Sequence, residues 1–230
     1  MKVEFHCHTN NSFDCSDDLN DKIRVYKNLG FDKIYITDHD EVFNVNKSSF
    51  CAHGIEVSST LGHIILLDCK KKPPLNTLWF LVLWAKAYNS KILIPHSNRK
   101  FTGLIERYNN KGFGRFYLNW FLQKSKYIEY YNHRDRNNLR VEIIEEKTFN
   151  IILNLEGIYT SDSHNLTDIY TNGTIINKEN VHVLDKEKYN RFKNSFKVVS
   201  TKIKINFLIL FFNFILTIRR SLIYMKNGKL

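Results

Sequence analysis

The stretch "KVEFHCHTNNSFDCS" (residues 2–16) places two histidines one residue apart, directly behind a short apolar strand. Side chains two residues apart on a strand lie on the same face, so His6 and His8 point together. Cys7 lies between them and points to the opposite face, where it is expected to join the core. Asp14 follows in a predicted loop. The stretch therefore predicts a strand that delivers metal-type ligands at its end.

Strand and helix patterns alternate over the first 165 residues. Helices are predicted at residues 17–30, 75–89 and 138–149, and residues 103–124 fit a loop and helix that flank a site. Strands are predicted at residues 2–5, 32–37, 54–58, 62–67, 91–96, 127–132 and 157–165. Alternation of this kind is typical of an α/β fold with a mostly parallel sheet or barrel.

Histidines and carboxylates recur at the ends of six of these segments. Because the carboxyl ends of parallel strands meet at one face of a barrel or open sheet, these side chains are expected to converge. Imidazole and carboxylate ligands suit zinc, manganese or iron, and a bridging carboxylate such as Glu56 suits a site with several ions. The side chains concerned are His6, His8, His39, Glu56, His63, His96, Asp162 and His164.

Six motifs occur in an order that resembles the polymerase-and-histidinol-phosphatase (PHP) family of metal-dependent phosphoesterases. They are "HCHTNNSFDCS", "ITDHDE", "GIEVSSTLGHIILL", "IPHSNRK", "IEYYN" and "TSDSHN". The resemblance covers roughly residues 1–175, and six motifs in the right order are far more specific than any one of them. It implies a distorted (β/α)7 barrel of the PHP type, followed here by a C-terminal helical extension.

The resemblance also implies two or three divalent metal ions, Mn, Zn or Fe, held by nine residues. The three sets are His6, His8 and Asp162 for the first ion, Glu56, His63 and His96 for the second, and Asp14, His39 and His164 for the third. Glu56 is expected to bridge the first two ions.

Two of these nine assignments have open alternatives. Asp14 lies close to Asp17 and Asp18, and Asp17 is also predicted to be the N-cap of the first helix. His63 fits equally an exposed histidine at the start of a strand.

The activity that the resemblance implies is hydrolysis of a phosphomonoester or nucleotide-type phosphate by a metal-activated hydroxide. Arg99 is a candidate for a bidentate contact with the substrate phosphate, the alternative being an ordinary solvated arginine. Asp38 and Asp40 are predicted to orient the His39 ring or the loop backbone. Glu129 fits a structural hydrogen bond at a strand end as well as it fits catalysis.

The net charge of +11 favours an acidic partner such as a phosphorylated small molecule, nucleic acid or a membrane surface. Lysine and asparagine are abundant throughout the chain, so part of this charge is a general bias of composition. An exonuclease acting on DNA or RNA ends is one alternative function, although no separate nucleic-acid-binding module accompanies the barrel. A non-catalytic metal-binding module is another, and the complete set of nine ligands speaks against it.

The domain organisation is predicted as a PHP domain at residues 1–180 and a helical extension at residues 181–230. The apolar run at residues 207–218 is shorter than the roughly 20 residues of a membrane-spanning helix. Residues 203–225 are expected to pack on the barrel, with contact to a membrane surface as the alternative. The four cysteines have no CxxC spacing and the chain begins without an apolar signal segment, which favours a cytoplasmic protein with reduced cysteines.

Overall fold

The computed structural model describes residues 1–44, 49–111, 115–135, 137–138, 146–170, 173–176 and 181–183. All of them belong to the first of two units of the chain, Met1–Val199. Of the predicted helical extension, residues 184–230 lie outside the described residues, including its apolar run, whereas its first three residues form a short strand, Val181–Val183. The predicted boundary near residue 180 stays a prediction. Within the described part of the chain, no helix combines the length and the apolar character that crossing a membrane requires.

The described residues form ten strands, five α-helices and one 3-10 helix. The strands are β1 (Lys2–Cys7), β2 (Lys33–Ile36), β3 (Cys51–Ser59), β4 (Gly62–Leu67), β5 (Lys91–Ile94), β6 (Tyr127–Asn132), β7 (Asn137–Asn138), β8 (Glu156–Thr160), β9 (Thr174–Ile176) and β10 (Val181–Val183). The helices are α1 (Leu19–Asn28), α2 (Leu78–Ala87), α3 (Leu104–Lys111), α4 (Arg115–Leu122), α5 (Glu146–Leu153) and the 3-10 helix Leu166–Asp168.

Seven of these strands form a nearly closed barrel in the order β1-β2-β3-β4-β5-β6-β8. Neighbouring strands are parallel except at β4, which runs antiparallel to both β3 and β5. The segment after β8 returns to β1: the Asp162 amide donates to the His6 carbonyl at 3.0 Å, and the His8 amide donates to the Ser163 carbonyl at 3.1 Å. The prediction of an α/β barrel with a mostly parallel sheet is confirmed.

An apolar layer fills the barrel below its carboxyl end. It takes residues from every barrel strand: Val3, Phe5, Tyr35, Ala52, Ile65, Leu67, Leu93, Tyr127 and Ile158. Phe5 reaches across the barrel, with its ring 5.3 Å from that of Tyr127. Because side chains alternate along a strand, Glu56 lies on the same face as Ala52, and Glu129 on the same face as Tyr127. The polar side chains therefore form a second layer above the apolar one.

A β-bulge in β1 sets the direction of the first histidine. The pairing of β1 with β2 gains one residue between Glu4 and Cys7. The Glu4 carboxylate accepts hydrogen bonds from the amides of Phe5 and His6, each at 3.0 Å. A bulge lets two successive residues face the same side of a sheet. Phe5 consequently belongs to the apolar layer, while His6 enters the polar layer above it.

Most predicted elements occur, with differences at their ends. β4 and β6 have the predicted bounds. The N-cap of α1 is Asp18, whose carboxylate accepts from the Asn20 amide, so the prediction of Asp17 as the cap is wrong by one residue. Asp17 instead faces Lys22 on α1 at 3.4 Å. The stretch from residue 103 to residue 124 contains two helices, α3 and α4.

Gly103 is a position where a side chain is expected to break the fold locally. A Cβ there would lie 2.6 Å from the Ser97 carbonyl carbon and 2.7 Å from the Arg99 amide nitrogen. Both obstacles are backbone, so the loop after β5 would have to move. We expect Gly103→Ala to lower the free energy of unfolding by about 2–3 kcal/mol, measured by urea denaturation.

Gly30→Asn is the matched control. Gly30 has a φ of +74°, and nothing lies within 4 Å of the position that a Cβ would take, so a residue that tolerates left-handed backbone fits there. We expect a loss below about 1 kcal/mol. Equal losses for the two variants would mean that close packing at Gly103 is not what the fold requires.

Candidate metal centre

All nine predicted ligands lie together at the carboxyl end of the barrel. They form four overlapping groups, within each of which one ligand atom per residue lies within 4.8 Å of the others. The groups are His8, Asp14, His39 and His164; His6, Glu56 and His96; His6, His8 and Asp162; and His39, Glu56 and His63. The first and third predicted sets recur in this grouping. The second set is divided, because Glu56 joins His96 in one group and His63 in another.

Glu56 lies between two pairs of imidazoles. Its Oε2 is 3.1 Å from Nε2 of His6 and 3.2 Å from Nε2 of His8. Its Oε1 is 2.9 Å from Nδ1 of His63 and 2.9 Å from Nε2 of His96. Oε2 also lies 3.4 Å from Nδ1 of His39. The two oxygens thus face different sets of imidazoles, which is the arrangement expected of a carboxylate that bridges two ions.

His63 is the second residue of β4 and reaches this end of the barrel from the beginning of its strand. The other strand residues arrive at carboxyl ends, but β4 runs antiparallel, so its amino end lies at the same rim. Ser58 of β3 is the direct partner of His63 in that pairing. The exposed-histidine alternative does not describe this position, because the His63 side chain is only 17% exposed and contacts Glu56.

The first predicted set brings three ligand atoms together in a fully buried place. Nε2 of His6 lies 3.0 Å from Nε2 of His8, and both nitrogens are 3.4 Å from Oδ1 of Asp162. That Asp162 oxygen is buried and has no hydrogen-bond partner among the described residues. Two imidazole nitrogens and an unpartnered carboxylate oxygen that face one another fit a shared cation, since burial of such groups is unfavourable otherwise.

The third predicted set lies nearer the surface. Oδ2 of Asp14 is 2.8 Å from Nε2 of His164 and 3.5 Å from Nε2 of His39. Asp14 is the exposed member of this group, whereas the three histidines are buried. The loop after β1 therefore supplies the Asp14 carboxylate from the open side of the centre. Asp14, and not Asp17, is the aspartate that reaches the histidines.

The charges of the cluster shift its pKa values in opposite directions. Burial alone would lower the pKa of His6, but the carboxylates of Asp162 and Glu56 outweigh it and raise that pKa well above its usual value. Burial alone would raise the pKa of Glu56, but the His6 and His63 imidazoles hold it well below its usual value. The carboxylates thus favour protonation of the His6 imidazole, and the imidazoles favour the ionised carboxylates.

Glu129 orients the first histidine without belonging to any of the four ligand groups. Nδ1 of His6 donates to Oε1 of Glu129 at 2.7 Å, which leaves Nε2 to face the other ligands. The second oxygen of Glu129 accepts from the His96 amide at 2.7 Å and from the Asn132 side chain at 2.9 Å. Carboxylates that fix the ring of a ligating histidine in this way are common in metal sites. Of the two predicted roles of Glu129, these contacts fit the structural hydrogen bond.

Two arginines lie at the rim. Nε of Arg99 donates to both oxygens of Asp135, at 2.8 and 2.9 Å, and Nη2 donates to Oδ2 of Asp162. Arg99 thus orients a predicted ligand, and its contact with substrate stays a prediction. Arg134 was not predicted from the sequence. Its Nη1 lies 2.6 Å from Nε2 of His164. Its position directly after "YYNH", where β6 ends, is the sequence feature that could have indicated it.

The aspartates that flank His39 hold backbone in place. The Asp38 carboxylate accepts from the amide of Thr9 at 2.6 Å and from its hydroxyl at 2.8 Å, which fixes the loop after His8. Oδ1 of Asp40 accepts from the Ser58 amide at 3.0 Å. Cys7 is fully buried in an apolar cluster on the far side of β1, as its position between the histidines predicts.

Comparison with known proteins gives the family. A model of the PHP domain matches residues 4–214. No curated protein matches the sequence. Among solved structures, a predicted metal-dependent phosphoesterase from Bifidobacterium adolescentis ATCC 15703 has a TM-score of 0.53 and 12% identity, over 82% of this chain and 94% of that one. This likeness concerns the fold alone.

Two further structures are similar at lower TM-scores. A two-domain protein from Bacteroides vulgatus ATCC 8482, which contains a predicted PHP-like metal-dependent phosphoesterase, has a TM-score of 0.48 and 19% identity over 73% of this chain and 53% of that one. The chain thus spans about half the length of that protein. Endonuclease Q, solved with a 27-mer duplex bearing an abasic lesion, has a TM-score of 0.48 and 13% identity over 72% of this chain and 49% of that one.

The described residues form an α/β barrel with buried clusters of potential metal ligands at one end. The PHP-domain model covers most of the chain, from the strand that carries His6 to beyond His164. The chain belongs to the PHP family. Its clusters of histidine, aspartate and glutamate are consistent with a site for several metal ions in this family.

Removal of the Glu129 carboxylate charge is expected to weaken metal binding. Glu129→Gln removes the negative charge and one of the two acceptor oxygens that fix the His6 ring and the His96 amide. We expect the affinity for Mn²⁺ or Zn²⁺ to fall about 10- to 100-fold in competition with a chelator. Glu41→Gln is the control, because Glu41 is exposed and pairs only with the exposed Lys72 in the described contacts. An unchanged affinity for Glu129→Gln would contradict the orienting role.

Metal binding is expected to release protons. The pKa of His6 in the metal-free protein is raised, so its proton is still bound at neutral pH and an ion must displace it. The affinity should therefore rise as the pH rises through the raised pKa of His6. Calorimetric titration at pH 7.5 in buffers of different ionisation enthalpy measures the number of protons released. A heat that does not depend on the buffer would show that His6 is already deprotonated.

Proposed function

We propose that the protein is a metal-dependent phosphoesterase that hydrolyses a phosphomonoester or a nucleotide-type phosphate. The observation that carries this proposal is Glu56, whose two oxygens face different imidazoles: Oε2 faces His6, His8 and His39, and Oε1 faces His63 and His96. Such a bridging carboxylate suits two ions held close together, and paired ions are typical of phosphoryl hydrolysis. His and carboxylate ligands suit manganese, zinc or iron.

When bound, the ions supply a hydroxide nucleophile at neutral pH and positive charge around the phosphoryl oxygens. The protein side chains hold the ions and orient the ligating groups. His6, His8 and Asp162 provide one fully buried place for a cation, and Glu56 links it to the place beside His63 and His96. Asp14, His39 and His164 provide the third place, at the open side. Apolar residues such as Phe5 close the barrel beneath, which excludes bulk water from below.

The rim is suited to a phosphate. Arg134 is exposed and lies against the His164 ring, while its nearest described carboxylate oxygen, that of Asp14, is 3.9 Å away. Arg99 is bound to Asp135 and Asp162, so it holds less donor capacity for a substrate. We assign Arg134 as the main contact for the phosphoryl oxygens and Arg99 as the secondary one. A guanidinium offers the planar pair of donors that phosphate prefers.

Phosphate release tests the proposal. The full chain, incubated with Mn²⁺ and a panel of phosphomonoesters and nucleotides, is expected to release phosphate. His6→Ala and Asp162→Ala are each expected to lower kcat/KM about 100-fold or more, since loss of a ligand exceeds loss of a group that only orients one. His53→Gln is the control, because His53 contacts the Phe43 carbonyl and lies outside the four ligand groups. No release from the whole panel by metal-loaded protein would refute the proposal.

An exonuclease that acts on DNA or RNA ends is the second candidate, and the net charge of +11 favours it. It predicts retention on single-stranded DNA that falls steeply with salt, together with shortening of labelled ends. A small-molecule phosphoesterase predicts neither.

Protein isolated without any metal, as measured by elemental analysis, would favour a third candidate, a non-catalytic module. A cytoplasmic location completes the proposal, with all four cysteines free and buried.

A further inference from the structure

Lys22 on α1 is a fully buried lysine in the wall behind the metal centre. Its ammonium donates to the Ser163 carbonyl oxygen at 3.0 Å and to the Ser163 hydroxyl at 3.2 Å. Its third polar contact is Oδ2 of Asp17, at 3.4 Å. Neither the ligand groups nor the proposed reaction uses this residue. A buried cation with three oxygen partners nevertheless requires an explanation.

Each of these partners lies in a segment that carries predicted ligands. Ser163 is the residue between Asp162 and His164. Asp17 ends the loop that carries Asp14, and its carbonyl accepts from the Asn10 amide at 2.8 Å. The Lys22 ammonium therefore joins the Asp14 loop to the segment that carries Asp162 and His164. No other lysine in the described part of the chain is fully buried.

The Ser163 peptide needs such support because its surroundings are irregular. Asp162 has a φ of +52°, in the left-handed region that non-glycine residues seldom adopt. The Ser163 carbonyl already accepts from the His8 amide, and the Ser163 hydroxyl contacts the Tyr26 hydroxyl at 3.0 Å. Lys22 and Tyr26 lie one helical turn apart on α1, so a single face of this helix holds the peptide.

Stability alone does not require a charged group in this place. Desolvation of a cation opposes folding, and a buried ion pair can often be replaced as a whole by well-packed apolar side chains without loss of stability. We infer that Lys22 is a positioning residue for the metal centre, which fixes the Ser163 peptide and the Asp14 loop so that Asp14, Asp162 and His164 keep their ligating positions. This role concerns metal affinity and does not depend on the substrate or on the reaction.

Replacement by methionine separates positioning from stability. Lys22→Met keeps the length of the side chain and removes the ammonium, and the Asp17 carboxylate that it leaves behind is partly exposed, at 18%. We expect the affinity of the full chain for Mn²⁺ and for Zn²⁺, measured against a competing chelator, to fall about 10- to 100-fold. Because Oδ2 of Asp17 is buried and loses its cation, the melting temperature of the metal-free protein is expected to fall, but by less than that of the core variant Leu81→Ala.

Two controls bracket this variant. Lys27→Met, on the exposed side of the same helix, is expected to change neither quantity. Leu81→Ala, in the apolar core around α2, is expected to lower the melting temperature of the metal-free protein and to leave the metal affinity unchanged. If Lys22→Met and Leu81→Ala lower both quantities in the same proportion, Lys22 has only a structural role and the inference is overturned.

The remaining outcomes also decide the matter. An unchanged metal affinity for Lys22→Met overturns the inference, and so does a wild-type chain that binds neither ion. If Lys22→Met does not fold, Ser163→Ala decides instead, because it removes only the hydroxyl that receives Lys22 and Tyr26. We expect about a tenfold loss of affinity for Ser163→Ala with the melting temperature retained, and an unchanged affinity would overturn the inference.

Discussion

Closure of the barrel between β1 and the segment after β8 is the constraint on which the metal centre depends. Two backbone hydrogen bonds, from the Asp162 amide to His6 and from the His8 amide to Ser163, join the beginning of the domain to its end. They set Asp162 beside His6 and His8, and His164 beside Asp14. The other strands contribute Glu56 and the remaining histidines to a rim that this closure completes. A barrel left open here would keep Glu56 in place but lose the first and third predicted sets.

The closed arrangement gathers like charges that need compensating cations. Glu56, Asp162 and Glu129 are buried carboxylates that all contact the His6 ring, and like charges gathered around one side chain oppose folding. In the metal-free protein the compensation comes from protonation, because the pKa of His6 is raised while those of Glu56 and Asp162 are lowered. Arg99 adds a fixed charge at Asp162. A metal ion bound among these groups would supply the compensating charge in place of the His6 proton, and its binding would then be coupled to folding.

The sequence predicts this centre well where a ligand follows from local rules. The spacing of His6 and His8, and of Asp162 and His164, needs only the alternation of a strand. Convergence needs only the rule that parallel strands end at one face. The antiparallel direction of β4 and the bulge in β1 depend on pairing with other strands, which one segment does not reveal. Lys22 was not predicted for a different reason: it shares the inner face of α1 with Leu19 and Tyr26, but a lysine is rarely fully buried, so its residue type indicates an exposed position.

The regularity of the local backbone explains which predicted ligands have buried polar side chains that hold them in place. Glu56 lies inside the uninterrupted pairing of β3 with β4, with Ile55 and Val57 packed in the apolar core on either side, so the strand itself holds its carboxylate. The ligands next to irregular backbone are different. His6 follows a bulge whose amides are bound by Glu4, and burial raises the pKa of Glu4 to about 7 against the hydrogen bonds from Ser161 and His6.

His96 has a φ of +21°, and Glu129 binds its amide. Asp162 has a left-handed backbone, and Lys22 binds the peptide that follows it. In each case a buried charged side chain supplies the hydrogen bonds that the strand pairing lacks. Buried charges reduce stability unless they are well partnered. These buried charges lie beside predicted ligands with irregular backbone, whereas Glu56, in a regular strand, has only apolar packing on either side. This distribution indicates that the buried charges maintain the positions of the ligands at the rim.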